Sequence, residues 1–221
     1  MSLKYYLYVS DTKLDMLFAQ LPRRLLDDVA GELKLDLKIL AVSLKQGASE
    51  PTRYSKLALV CRYLEKHERI GSIDAPEAYF RGSAVVRWGP FGGFNDQRLI
   101  YFGGATEATV FGLGGSPEHV IGAPGGTATH ASSVTPCLTA ILCEDLALEP
   151  PTDLDISGLS IRQMQPSAID ATRLATERMQ GVEQHVEFLA RRLLYQPKAE
   201  GFQKGVLLGS PIYVALHDTA A

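Results

Sequence analysis

The sequence predicts an α+β fold: an antiparallel β-meander in a mixed sheet, packed by two main helices over about residues 52–70 and 171–195. Three observations carry this expectation. Four Gly-Gly pairs, at 92–93, 103–104, 114–115 and 125–126, recur every 11 residues, about the repeat of five- or six-residue strands joined by tight turns. Two long segments place apolar residues at helical spacing. Shorter segments near both ends of the chain alternate or cluster apolar residues as strands do.

The elements follow in chain order. Leu3, Tyr5, Leu7 and Val9 alternate with Lys4, Tyr6 and Tyr8, which reads as a first strand. Ser10, Asp11 and Thr12 supply capping side chains for a short helix through Leu14, Leu17 and Phe18. Pro22 can open a further helical turn to Val29, and residues 33–44 alternate again as a second strand. Pro51 and Thr52 start a helix in which Leu57, Cys61 and Leu64 share a face, with Gly71 as its stop.

Between Gly82 and Gly126 lie 12 of the 20 glycines. There the meander is expected over about 84–115, with Gly-Gly supplying the positive φ of its hairpin turns. Ser116-Pro117-Glu118 has the order of an N-cap, a first-turn proline and an acid at the dipole's positive end, so 117–121 reads as one helical turn. Residues 127–135 read as a loop and 136–148 as a helix in preference to a buried strand. Leu159–Met164 reads as a strand. Ala175, Met179, Val182, Val186, Leu189 and Leu193 form a 4–3 stripe that predicts the 171–195 helix, packed on the sheet or at a homodimer seam. Residues 205–216 close the fold as a last strand, kinked at Gly209-Ser210-Pro211.

Composition bounds the function. The chain has 221 residues, 46% of them hydrophobic, and a net charge of −3 from 22 basic and 25 acidic residues. That suits one domain over 1–221. Interspersed charges argue against a nucleic-acid surface or an anionic-membrane patch. Three cysteines without a C-x-x-C predict free thiols. No signal-peptide pattern and no run of about 18 apolar residues occurs, so a cytoplasmic protein is expected.

The common catalytic motifs are missing. There is no P-loop, no G-x-S-x-G elbow and no H-E-x-x-H. Gly112-Leu113-Gly114 begins like a dinucleotide turn, but Pro117 stands where the third glycine belongs. The histidines at 67, 119, 130, 185 and 217 form no i, i+4 pair, so no local metal site is predicted. No motif names a cofactor. The strongest candidate is a ligand site at the 114–119 turn, from Gly114, Gly115, Ser116 and His119, with Gly92 and Gly93 at the same end of the meander. Glycines there would let backbone approach a ligand, and Ser116 would open N–H groups to an anion. Weaker candidates are Thr106 and Glu107 at the intervening turn, and Asp11 with Asp15, which could hold Mg²⁺ or serve as cap and solvated acid.

The segments Lys4–Leu17 (KYYLYVSDTKLDML), Tyr101-Phe102-Gly103-Gly104, Gly112–Ser116 with His119–Gly122, and Leu207–Ala215 resemble a family of unknown function from actinobacteria. The resemblance spans the whole chain and implies no catalytic residue. Some relatives sit beside bacterial conflict or signalling genes. Three functions stay open. One is a non-enzymatic sensing or regulatory module that binds a small anionic ligand or a protein partner. Another is a structural subunit dimerising through the 171–195 helix. The last is an enzyme using Glu107 with His119, or Asp11 with Asp15.

Overall fold

In the computed structural model, residues 3–22, 52–91, 99–122, 135–146, 161–198 and 203–217 are described. The expected elements over 23–51, the Gly92–Gly93 and Gly125–Gly126 pairs and the loop over 127–134 lie outside them. The chain packs as two compact units, Ser10–Ile70 and the remainder, Met1–Val9 with Gly71–Ala221.

The smaller unit carries α1 (Asp11–Phe18) and α2 (Arg53–His67). Thr52 caps α2 as expected, its side chain accepting from the Ser55 N–H at 3.3 Å. Leu57, Val60 and Leu64 are its buried stripe. The helix ends at Glu68 in extended conformation, not at Gly71, which lies in β2 (Ile70–Gly71) at the boundary of the units. The sequence stop signal was three residues late because a glycine ends a helix only where positive φ is needed.

The larger unit is built on β1 (Tyr6–Val9), β3 (Tyr79–Phe91), β4 (Leu99–Ala105), β5 (Thr109–Gly115), β6 (Gln184–Gln196) and β7 (Gly205–Leu216). β3, β4 and β5 are consecutive antiparallel neighbours. β5 then runs parallel to β7, from Thr109↔Gly205 to Leu113↔Gly209. β7 pairs antiparallel with β6, and β6 with the first half of β3. β3 serves two neighbours in turn: residues 79–86 face β6 and 86–91 face β4. The mixed sheet therefore closes on itself as a five-stranded barrel. β1 extends one side of it by pairing with Tyr213–Ala215.

Two apolar layers result. Inside the barrel are Phe80, Phe102, Phe111, Leu113, Phe188 and Val214, all at most 1% exposed. On the outside of β4, β5 and β7 lie α3 (Thr135–Asp145) and α4 (Ile161–Arg178), which bury Leu138, Leu142, Ala171 and Ala175 against Leu99, Tyr101 and Leu208. The 136–148 helix is thus present as α3. The helices on the barrel are α3 and α4; α2 belongs to the other unit and packs with α1 there.

Three expectations are corrected. The two described Gly-Gly pairs, 103–104 and 114–115, are not hairpin turns. Gly103 and Gly104 lie within β4, opposite Gly112 and Phe111, and Gly114 and Gly115 lie within β5, opposite Tyr101 and Ile100. Among the described residues only Gly122 and Gly181 have positive φ. The strand pairs put glycine where an aromatic ring crosses: a Cβ on Gly104 would meet Phe111 Cζ at 2.8 Å, and one on Gly115 would meet Tyr8 Oη at 2.3 Å. The β4–β5 turn is closed instead by Thr106. Its Oγ1 accepts from the N–H of Thr109 at 2.9 Å and of Ala108 at 3.2 Å, and donates to Asp74 Oδ1 at 2.6 Å.

The 171–195 helix does not exist as one element. α4 ends at Arg178, Gly181 turns the chain at φ +116°, and residues 184–196 are strand β6. The 4–3 stripe ran across two elements. Ala175 and Met179 are buried, but Val182 is 80% exposed. Likewise the 159–164 strand is replaced by α4 from Ile161. The short apolar segment there yields to the longer helical repeat Ala168, Ala171, Thr172, Ala175, whose small side chains let the helix lie close on the sheet. β7 is one strand through Gly209-Ser210-Pro211, and the expected kink appears as a register shift against β6, between Leu189↔Tyr213 and Ala190↔Pro211.

Candidate functional site

The 114–119 segment is placed mostly in the protein interior. Gly114 and Gly115 are buried, with Leu138 and Tyr8 filling the space a side chain would need. Ser116 is the N-cap of a three-residue 3₁₀ turn, Pro117–His119, but makes no capping hydrogen bond. Its Oγ is buried without a hydrogen-bond partner. His119 is 7% exposed, lies edge-on to Tyr8 at 5.9 Å, and has Nε2 3.5 Å from Glu118 Oε1. The close backbone approach predicted here is made by protein side chains.

Thr106 and Glu107 sit at the opposite end of β5, beyond the Ala105↔Val110 pair, whereas Ser116 follows the Ile100↔Gly115 pair. The structure therefore does not bring Glu107 and His119 together. Thr106 is committed to its turn. Asp11 and Asp15 each close on a cation of α2, Arg53 at 2.5 Å and Lys56 at 2.6 Å. In the same unit Lys13 Nζ donates to Ser10 Oγ at 3.3 Å, and burial lowers the Lys13 pKa to about 8.

A different group of side chains converges on the outer face of β3, β6 and β7. His185 and Glu187 stand two residues apart on β6, so both point to one side of the sheet, while Val186 and Phe188 point into the barrel. His217 follows β7 directly opposite His185, and its N–H donates to the His185 carbonyl at 2.9 Å. The two imidazole centroids are 4.7 Å apart. Ser83 on β3 completes the row, with Oγ 3.0 Å from His185 Nε2. His217 Nδ1 lies 3.7 Å from Glu187 Oε2, and Lys4 pairs with Glu187 Oε1. The Lys4 ammonium also sits 5.6 Å over the Tyr213 ring. His185, Glu187 and His217 are half-buried, and Ser83 is exposed. Together with Lys4 they offer two imidazoles, a carboxylate, a hydroxyl and a cation on and beside paired strands.

Sequence reasoning missed this group because it tested histidines only at helical spacing. His185 and His217 are brought together by the β6–β7 register. The signal was present: His185-Val186-Glu187-Phe188 alternates polar and apolar at period two, and Gly181 interrupts the helical stripe that crosses it.

A model of a family of unknown function, DUF7019, matches residues 4–218. The chain belongs to that family. The DUF7019 match runs through both compact units and reaches the last histidine of the β3–β6–β7 group. No curated protein matches the chain, and no solved structure does. Among the described residues no helix of this DUF7019 chain is long and apolar enough to cross a membrane.

Proposed function

We propose that this chain is a cytoplasmic, non-enzymatic ligand-binding module of a sensing or regulatory kind, with the outer face of β3, β6 and β7 as its binding face. The observation that carries the reading is the convergence of Ser83, His185, Glu187, His217 and Lys4 on that face. Polar groups gathered on a rigid scaffold and left half-exposed are what recognition uses. The barrel interior is filled by phenylalanines, so a ligand is better received outside it. The match across both units supports treating 1–221 as one functional piece. The sequence resemblance to an actinobacterial family, some of whose relatives neighbour conflict or signalling genes, supports the sensing half of the reading.

The ligand we propose is a small anion or a protein partner. The test is an imidazole-resolved NMR titration with inorganic phosphate and with nucleotides. Shifts confined to His185 and His217 support the face; shifts at His119 would return the site to the 114–119 turn. Perturbation of neither, with all of these ligands, overturns the small-anion reading. A homodimer seam over 171–195 is not part of this proposal, since Gln184–Gln196 is β6, a strand of the barrel wall.

A further inference from the structure

We infer that His185, His217 and Glu187 form a chelating site for one divalent late first-row transition ion such as Zn²⁺, Co²⁺ or Ni²⁺. The inference rests on the binding face proposed above and names a ligand for it. Two imidazoles on directly opposed residues of adjacent strands start from backbones that hold their Cβ atoms near 5 Å apart. Coordination then fixes what the rings must do. With metal–nitrogen bonds of about 2.0–2.1 Å, two imidazoles on one ion at 90–110° place their centroids roughly 4.5–5.2 Å apart. The His185 and His217 rings are at 4.7 Å.

The third donor is close to its place as well. Donor atoms on a tetrahedral ion are about 3.3 Å apart, and Glu187 Oε2 is 3.7 Å from His217 Nδ1. Two histidines and one carboxylate are a donor set that suits such ions. Ser83 Oγ holds His185 by Nε2, which leaves Nδ1 for the ion and orients the ring as an outer partner does. Among the described residues no three such side chains are already gathered around one point. The missing step is small: Glu187 turns from Lys4 towards the imidazoles, so the Lys4 ammonium competes directly with the ion for that carboxylate.

The test is isothermal titration of the full chain, without a histidine tag, with ZnCl₂, repeated with CoCl₂ read by visible absorption. The expected result is one ion per chain at micromolar affinity. Replacing His185→Ala or His217→Ala should each weaken binding at least 10-fold. Glu187→Gln should weaken it several-fold, and Lys4→Met should strengthen it, which a merely structural role of Glu187 would not produce. No binding up to 1 mM overturns the inference, as does binding that both histidine variants retain. Neither result touches the phosphate and nucleotide titration, so the binding face itself can stand if the metal does not.

Discussion

Replacing Gly112 with alanine tests why this chain carries so many glycines. The added Cβ would lie 1.9 Å from Tyr101 Oη and 2.4 Å from its Cζ, so the ring must move by more than 1 Å. Tyr101 is fully buried under α4, its hydroxyl 3.1 Å from the Thr172 carbonyl oxygen and 3.0 Å from Thr176 Oγ1. Burial also pushes its pKa up, so the hydroxyl keeps its proton. Overpacking of this kind costs about 1–3 kcal/mol, and losing the hydroxyl's contacts adds about 1 kcal/mol each. The expected cost of Gly112→Ala is therefore about 3–5 kcal/mol, read from urea melts. Tyr101→Leu should cost about 3 kcal/mol by itself. In the double variant the clash is gone and the hydroxyl contacts are counted only once, so the pair should fall short of the sum by about 3–5 kcal/mol. Gly122→Ala is the control: its φ is +81° but nothing lies within 4 Å of the added carbon, so it should cost only about 1 kcal/mol of backbone strain. A Gly112→Ala protein within 0.5 kcal/mol of wild type, or strict additivity in the double variant, would refute the reasoning.

Other outcomes follow from single side chains. Ser116→Ala should leave the protein as stable or raise it by up to ~1 kcal/mol in thermal melts, because the Ser116 Oγ is buried without a partner; a loss above 1 kcal/mol would show that the hydroxyl is satisfied. Thr106→Ala removes the acceptor of two turn N–H groups and a donor to Asp74, and should cost about 2 kcal/mol by denaturant titration. Lys13→Met should stabilise the protein near pH 7. With a folded pKa of about 8 against 10.5 for the free amine, the unfolded chain binds more protons between those values. The burial cost is therefore full below pH 8 and fades as pH rises to 10.5. The bound is ~3 kcal/mol, and about 1–2 after allowing for water at the half-buried amine. The wild-type and Lys13→Met stability curves should converge by about pH 10; parallel curves would remove the effect.

Much of the architecture could be read locally. The 11-residue glycine period located β4 and β5 because their lengths and the turn add to about that repeat. Thr52 marked its helix because a cap is a local hydrogen bond. Pro117 marked its helical turn because φ is fixed within one residue. What those glycines do was not local. Their role depends on which aromatic crosses them from the next strand, and that is set by register between β4 and β5. The error over 171–195 has the same origin. A 4–3 apolar stripe scores equally well when α4 hands over to β6, since periodicity does not see a single Gly181 at φ +116°. The candidate site divided along this line. Residues 114–119 drew notice as a sequence motif, yet burial under Tyr8 and Leu138 turned them into core.

By itself, then, the sequence determined the α+β class, α1, α2, α3 and the positions of the central strands, because propensity, caps and short repeats act over a few residues. Only the tertiary structure decided that the mixed sheet closes into a barrel, that glycines are spaces for rings rather than turns, and that His185 meets His217. Barrel closure requires β3 to change partners at Val86 and β7 to join β5 and β6, and β7 also takes up β1. Those pairings lie up to some two hundred residues apart, and their energy comes from contacts that no local window contains.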